Sequence, residues 1–190
     1  MSACYFWPMN TPVTSILALF AERGNSQYGF ESVSQLEHAL QTATLAQEAG
    51  ASSDLVVAAL LHDIGHLLHD LPDDAPDQGI DDRHEVLAAR FLNTYFKDSV
   101  TEPVRLHVEA KRYLCTTRPK YLELLSPPSV QSLALQGGLM QPEEVATFES
   151  NPYAEDAVNL RIWDDLAKDP EKKTAPIEDF AQAIEQGLKQ

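Results

Sequence analysis

The segment formed by residues 55–68 is apolar almost throughout, yet it contains His62, Asp63 and His66. An apolar run of this kind predicts a central helix that is buried on nearly all sides. Ionisable groups in a buried helix cost free energy unless a partner compensates them. A metal ion is a suitable partner, because imidazole is a neutral ligand and a carboxylate can bridge two cations. His62 and His66 share one helical face, whereas Asp63 points about 100° away.

The rest of the chain also has helical patterning, and no stretch alternates for long as a β-strand does. Ser34 and Glu37 form a capping box, and Ser126 begins another helix just before a proline. The pattern predicts further helices at 13–23, 34–50, 85–96, 100–114, 127–136, 142–148, 154–166 and 177–188. We therefore predict an all-α fold with an N-terminal extension at residues 1–12 and a single domain at residues 13–190.

Composition limits the functions that the chain can have. The formal net charge of −15 disfavours binding to nucleic acid, which needs a basic surface. No apolar run approaches the roughly 20 residues that span a membrane, and the N-terminus lacks the pattern of a signal peptide, so we expect a cytoplasmic protein with no membrane partner. Two cysteines, Cys4 and Cys115, are too few for an iron–sulfur cluster or a four-cysteine zinc site. A small anionic substrate is compatible with this charge, because metal ions and a few cations can reverse the field inside one pocket.

The chain contains six histidines, His38, His62, His66, His69, His84 and His107. A single histidine on an apolar helix is more often a hydrogen-bonded core residue than a ligand, and His38 or His107 taken alone fits that description. The prediction of a metal site rests on the joint occurrence of several candidates. His38 precedes the pair His62 and Asp63 by 24 residues, and Asp164 follows on a late helix.

The loop predicted at residues 71–83 is rich in aspartate, but it lacks the ligand order of an EF-hand calcium loop. We expect its aspartates, Asp82 among them, to be solvated, and the loop to gate the region near His84. His69 lies just before this loop and is expected at the surface.

The order of the histidines and aspartates resembles that of the HD-domain superfamily, whose helical members bind one or two metal ions through an H…HD…D pattern. The fuller order H…HD…H…H…D is similar to its two-metal members, and above all to the mixed-valent diiron oxygenases of the PhnZ and TmpB type, which cleave carbon–phosphorus bonds. The resemblance extends from about residue 27 to about residue 168. It includes two segments that are not general features of the superfamily, HVEAKRYL from His107 and QGG from Gln136.

The resemblance implies a ligand set for each of two iron ions, with Asp63 bridging them. One ion would be held by His38, His62, Asp63 and Asp164, and the other by Asp63, His84 and His107. Nitrogen and oxygen ligands without thiolate suit iron or manganese. The resemblance also implies a mixed Fe(II)/Fe(III) pair and dioxygen as co-substrate.

The resemblance further implies residues that bind a substrate. A phosphonate pocket would be lined by His66, Lys111, Ser129 and Gln136, while Tyr28 would cap an iron until substrate displaces it and Glu31 would recognise an amine. The residues alone leave alternatives open: a solvated surface position for Lys111, ordinary helix positions for Ser129 and Gln136, and a staple and cap for the next helix in the case of Tyr28 and Glu31. Phe30 adds an aromatic ring beside Glu31, which favours a trimethylammonium group over a primary amine.

These implications describe an iron-dependent oxygenase. Its substrate would be a 1-hydroxyphosphonate with a cationic nitrogen at carbon 2, and its products would be phosphate and either glycine betaine or glycine. A metal-dependent phosphohydrolase, the commonest activity in the superfamily, would use the same ligands, so ligand identity does not separate the two. A regulatory module with a vestigial site is disfavoured, because every ligand position is filled. The sequence does not indicate an oligomeric state.

Overall fold

The computed structural model of the chain describes residues 11–71 and 75–190. Within these residues the fold is all-α, as predicted, and strand-like pairing is limited to two isolated bridges, Gln27 with Ser34 and Phe96 with Leu188. The α-helices are α1 (Pro12–Arg23), α2 (Gln35–Glu48), α3 (Ser53–Leu61), α4 (His84–Leu92), α5 (Asp98–Thr117), α6 (Tyr121–Leu124), α7 (Pro127–Leu135), α8 (Pro142–Glu149), α9 (Ala154–Leu166) and α10 (Ala181–Gln186). Short 3-10 helices lie at Ile64–Leu67, Ala75–Gln78 and Ile177–Phe180.

Side-chain caps explain where several helices begin. The predicted capping box is present, because the Ser34 hydroxyl accepts from the Glu37 amide at 3.2 Å and a Glu37 carboxylate oxygen accepts from the Ser34 amide at 2.7 Å. Thr11, Ser52 and Ser126 cap α1, α3 and α7 through their own hydroxyl groups. Each cap satisfies a backbone amide that has no partner inside its helix.

The apolar helix α3 lies at the centre of the fold, where residues 55–61 are all buried. It packs against α2, α5, α9 and α10. Burial on all sides explains why its sequence shows no polar face. A second, smaller apolar cluster joins α5, α8 and α9 through Leu106, Phe148 and Ala157.

The central helix predicted at residues 55–68 is shorter than expected. Its α-helical part ends at Leu61, and the chain continues as the 3-10 helix Ile64–Leu67. Gly65 lies directly against the first residue of α4, since a Cβ atom on Gly65 would be 2.0 Å from the carbonyl oxygen of His84. This close approach brings His84 next to Asp63 and excludes any side chain at position 65.

Other boundaries differ more modestly from the prediction. The last predicted helix is divided into Ile177–Phe180 and α10, and the short helix α6 was not predicted. Most of the predicted N-terminal extension lies outside the described residues, and α1 begins at Pro12. None of the helices in residues 11–71 and 75–190 combines the length and hydrophobicity needed to span a lipid bilayer.

Candidate metal centre

The six predicted metal ligands come from separate parts of the chain and meet at one buried position. His38 lies on α2, His62 and Asp63 follow α3, His84 begins α4, His107 lies on α5 and Asp164 lies on α9. All six residues are buried. Their donor atoms form two groups that could each hold a metal ion: group 1 is His38, His62, Asp63 and Asp164, and group 2 is Asp63, His84 and His107.

In group 1, two imidazoles and two carboxylates face each other. The Nε2 atoms of His38 and His62 are 3.2 Å apart. His62 Nε2 is also 3.2 Å from Asp63 Oδ2, and His38 Nε2 is 3.3 Å from Asp164 Oδ1. Four donor atoms at this spacing surround a volume suited to one cation.

Group 2 uses the other oxygen of the same aspartate. The Nε2 atoms of His84 and His107 are 3.1 Å apart, and each is 3.4 Å from Asp63 Oδ1. Asp63 thus presents Oδ2 to group 1 and Oδ1 to group 2, which is the arrangement of a carboxylate that bridges two metals.

Backbone and carboxylate acceptors fix the tautomers of the four histidines. The Nδ1 atoms lie 2.7–2.9 Å from oxygens that only accept, namely Ala167 O for His38, Ala59 O for His62, Val104 O for His107 and Asp82 Oδ1 for His84. Each Nδ1 therefore carries a proton, and each Nε2 directs a lone pair towards the centre in the neutral ring.

The centre is therefore rich in electron-pair donors. Asp63 Oδ1 has no hydrogen-bond partner within the described part of the chain, although it is buried. In group 2, facing lone pairs and an unpaired buried carboxylate oxygen are costly without a cation. The donor set of imidazole nitrogens and carboxylate oxygens suits a divalent transition metal, so these residues fit a two-metal site with open coordination positions.

The electrostatics of the protein alone differ between the two groups. Burial would lower the pKa of His38, but hydrogen bonds with Asp164 and Asp63 raise it to about 9. Burial and the charge of His66 lower the pKa of His84 to about 4. A metal ion in group 1 must therefore displace a proton that His38 shares with the carboxylates, whereas His84 is neutral and ready to coordinate.

Asp82 is a supporting residue that sequence reasoning missed. Its Oδ1 accepts from His84 Nδ1 at 2.8 Å, and its Oδ2 accepts from His66 Nδ1 at 2.8 Å and lies 3.3 Å from His69 Nε2. Burial would raise its pKa, but the hydrogen bonds with His66 and His84 hold the pKa of Asp82 well below its usual range. The expectations of a fully solvated Asp82 and a surface His69 are wrong, since both side chains are only 19% exposed. The sequence signal that could have identified Asp82 is its position two residues before the candidate ligand His84.

Replacing Asp82 with asparagine tests this supporting role. An amide has one oxygen, so it cannot accept from both His84 and His66 as the carboxylate does. We expect affinity for the metal in group 2 to fall by about 10 to 100-fold, the usual effect of losing a partner that orients a ligand. Calorimetric metal titration measures this change, with Asp81→Asn as the exposed neighbouring control. Equal affinities in the two variants would contradict the assignment.

The turn that contains Tyr28 and Glu31 lies against group 1. The Glu31 amide donates to the Tyr28 carbonyl at 2.9 Å, and Gly29 within the turn has a φ of 53°. The Tyr28 ring stacks on His38 with centroids 3.8 Å apart, and its hydroxyl donates to Asp164 Oδ1 at 3.4 Å. Tyr28 is thus in direct contact with two candidate ligands and is more than a staple for the following helix.

A cavity of about 180 Å³ opens beside the two groups. The residues predicted to bind substrate all line it, as do four of the candidate ligands: Tyr28, Glu31, His66, Lys111, Ser129 and Gln136, with Asp63, His84, His107 and Asp164. Lys111 is only 3% exposed and donates to Ser132 Oγ at 2.9 Å, so the surface alternative for this lysine is wrong. Burial, reinforced by the charge of Arg161, lowers the pKa of Lys111 to about 7. An anion in the cavity would favour its charged form.

Two positively charged side chains near the cavity, Arg161 and Lys168, were not predicted as site residues from the sequence. Arg161 is buried and forms an ion pair with Asp164 Oδ2 at 2.7 Å, and it also contacts Asp165, so it orients a candidate ligand. Lys168 donates to Glu31 Oε1 at 3.0 Å and lines the cavity. Both lie on or just after α9, three residues before and four residues after Asp164.

Comparison with known proteins defines the class. The HD domain family matches residues 36–145, a range that contains five of the six candidate ligands. A hydroxymethylphosphonate dioxygenase of Gimesia maris is 46% identical over 93% of this chain and 88% of its own length. A glycine-betaine-forming 1-hydroxy-2-(trimethylamino)ethylphosphonate dioxygenase of Leisingera caerulea is 40% identical over 91% of this chain and 88% of its own length.

An uncharacterized protein of Acanthamoeba polyphaga mimivirus is also similar, at 38% identity over 87% of this chain and 77% of its own length. The chain belongs to the HD-domain proteins and, within them, to the PhnZ/TmpB family of phosphonate dioxygenases. The resemblance identified from the sequence is therefore confirmed.

Proposed function

We propose that the chain is an oxygenase that cleaves the carbon–phosphorus bond of a 1-hydroxyphosphonate with dioxygen. Both named relatives are dioxygenases, and their substrates share a hydroxyl group and a phosphonate on the same carbon. For the simplest such compound, hydroxymethylphosphonate, one dioxygen would convert the substrate to formate, inorganic phosphate and a proton. Carbon 1 is oxidised to the carboxylate level, dioxygen is reduced, and the carbon–phosphorus bond breaks.

One observation carries this proposal: two groups of metal donors share Asp63 at the wall of a cavity that also contains a buried lysine. We assign group 1 and group 2 to two iron ions, because the nitrogen and oxygen donors without thiolate suit iron. When bound, the metal pair supplies Lewis acidity and electrons for dioxygen chemistry at carbon 1.

The residues of the cavity would bind and orient the phosphonate. The Lys111 ammonium supplies a positive charge in a site that water screens weakly, where contacts with an anion are strong. His66, held through Nδ1 by Asp82, keeps its other nitrogen for a second contact. Ser129 and Gln136 line the same cavity, and Gln136 Oε1 is buried without a partner within the described residues. Together these groups would fix the hydroxyl-bearing carbon beside the metals.

Tyr28 would block access to group 1 before substrate enters. Its stacking on His38 and its contact with Asp164 place the phenol at the edge of group 1. A substrate oxygen that reaches the same edge must displace the tyrosine. We therefore assign Tyr28 to limiting access of dioxygen in the absence of substrate. The phosphohydrolase alternative has the same ligands but is not favoured by the names of the relatives.

The stoichiometry of the reaction tests the proposal. Iron-loaded, reduced protein with hydroxymethylphosphonate or the trimethylammonio compound should consume one dioxygen for each phosphate released. An oxygen electrode and a phosphate assay on the same sample measure the ratio. Phosphate release without oxygen uptake would support hydrolysis instead.

A further inference from the structure

Lys168, two residues beyond the end of α9, is held in the wall of the cavity by three acceptors. Its Nζ donates to Glu31 Oε1 at 3.0 Å and to the hydroxyl oxygens of Ser126 and Ser129, each at 3.1 Å. These contacts use all three N–H groups of an ammonium. The side chains of Lys168 and Glu31 are only 14% and 16% exposed, so solvent screens their attraction weakly.

Lys168 also lies over an aromatic ring. Its Nζ is 6.0 Å from the centroid of the Tyr28 ring, which itself stacks on His38. A carboxylate and an aromatic ring are the groups that hold an alkylammonium ligand. In this chain the ammonium group of Lys168 already occupies the position beside the Glu31 carboxylate and the Tyr28 ring.

Phe30 does not supply a replacement for the Tyr28 ring. It lines the cavity but is 54% exposed, so it lies at the solvent side and does not close a cage with Tyr28. A quaternary ammonium gains most from rings that enclose it away from water.

The position of Lys168 is fixed relative to the metal centre. Asp164 lies in the last turn of α9, and the carbonyl of Ala167 accepts from His38 Nδ1 at 2.9 Å. Lys168 is the next residue. Because the backbone on one side of it anchors a candidate ligand, the Cα atom of Lys168 is held beside the cavity, within reach of Glu31.

We infer that Lys168 determines the substrate class. Paired with Glu31, it restricts the site to 1-hydroxyphosphonates in which carbon 1 carries no cationic substituent. This inference rests on the function proposed above. A substrate ammonium would have to displace Lys168 from Glu31 and would then lie beside a like charge. The phosphonate is unaffected, since Lys111 and the metals face it. The inference departs from the preference for a trimethylammonium group that Phe30 suggested in the sequence.

A specificity ratio tests the inference. We compare kcat/KM for hydroxymethylphosphonate with kcat/KM for 1-hydroxy-2-(trimethylammonio)ethylphosphonate in iron-loaded protein. The wild type should favour the uncharged compound, and Lys168→Met should shift the ratio towards the cationic compound by about tenfold or more, as expected when a repulsive element is removed. Lys168→Arg, which keeps the charge, should retain the wild-type ratio, and so should Lys173→Met at an exposed position.

The ratio is insensitive to partial unfolding or metal loss, because both substrates meet the same active fraction. Anaerobic calorimetry with the same two compounds gives the ratio of affinities without turnover, and Lys168→Gln replaces Lys168→Met if the latter does not fold. A wild type that favours the cationic compound, or a ratio unchanged by loss of the lysine charge, would overturn the inference. Failure of the proposed function looks different: neither compound would then be consumed with dioxygen.

Discussion

Replacing Asp63 with alanine should remove both metal ions from the chain and abolish phosphate release. Its two oxygens face different groups of histidines, Oδ2 at 3.2 Å from His62 Nε2 and Oδ1 at 3.4 Å from both His84 Nε2 and His107 Nε2. No other carboxylate among the described residues belongs to both groups. Elemental analysis after expression with added iron should give about two irons per wild-type chain and almost none for Asp63→Ala.

Loss of metal must be distinguished from loss of fold. Burial would raise the pKa of Asp63, but the surrounding imidazoles, His62 first, hold it well below its usual range, so the folded protein stabilises this charge even without metal. Alanine loses that attraction, and the variant is therefore compared with metal-free wild type by circular dichroism, where we expect the same helical content. Retention of one full metal ion by the folded variant would contradict the bridging role of Asp63.

Replacing Lys111 with methionine should leave the metals in place but weaken substrate binding strongly. The side chain is 3% exposed, so methionine fills the space while removing the charge. Loss of a hydrogen bond to a charged group costs about 1.5–3 kcal/mol, which corresponds to roughly a 10 to 150-fold weaker affinity. Anaerobic calorimetry measures the affinity, with Lys120→Met as an exposed control. An unchanged affinity would exclude Lys111 from the phosphonate site.

The difference in substrate affinity between wild type and Lys111→Met should depend on pH. Burial lowers the pKa of Lys111 to about 7, so the charged form dominates below that pH and is lost above it in the protein without substrate. Binding of an anion must then restore the proton, and the contribution of Lys111 to affinity becomes smaller as pH rises. The ratio of wild-type to Lys111→Met affinity should therefore fall between pH 6 and pH 9. Ionisation of the phosphonate itself cancels in this ratio.

Much of the candidate site could be predicted from the sequence, because its ligands lie on helices with recognisable patterns. The apolar run at residues 55–68 predicted a buried element that carries His62 and Asp63, and the structure places both at the centre of the fold. Lys111 could be placed near His107 because residues four apart share a helical face. The individual ligand roles stay predictions until metal is measured.

Other features depended on contacts between distant parts of the chain. The change from α-helix to 3-10 helix after Leu61 accompanies the contact between Gly65 and His84, which local propensity does not reveal. The contact between Lys168 and Glu31 joins residues 137 positions apart. Asp82 was grouped with its acidic neighbours, since composition alone cannot distinguish one buried aspartate in an acidic loop.

The central claim is that dioxygen, and not water, supplies the oxidation that breaks the carbon–phosphorus bond. The direct measurement is phosphate release by iron-loaded, reduced protein under argon and under ¹⁸O₂, with hydroxymethylphosphonate as substrate. We expect no turnover under argon, and ¹⁸O in the carboxylate or phosphate product when labelled dioxygen is admitted. Phosphate release at full rate under argon, with new oxygen derived only from water, would contradict the oxygenase and identify a hydrolase.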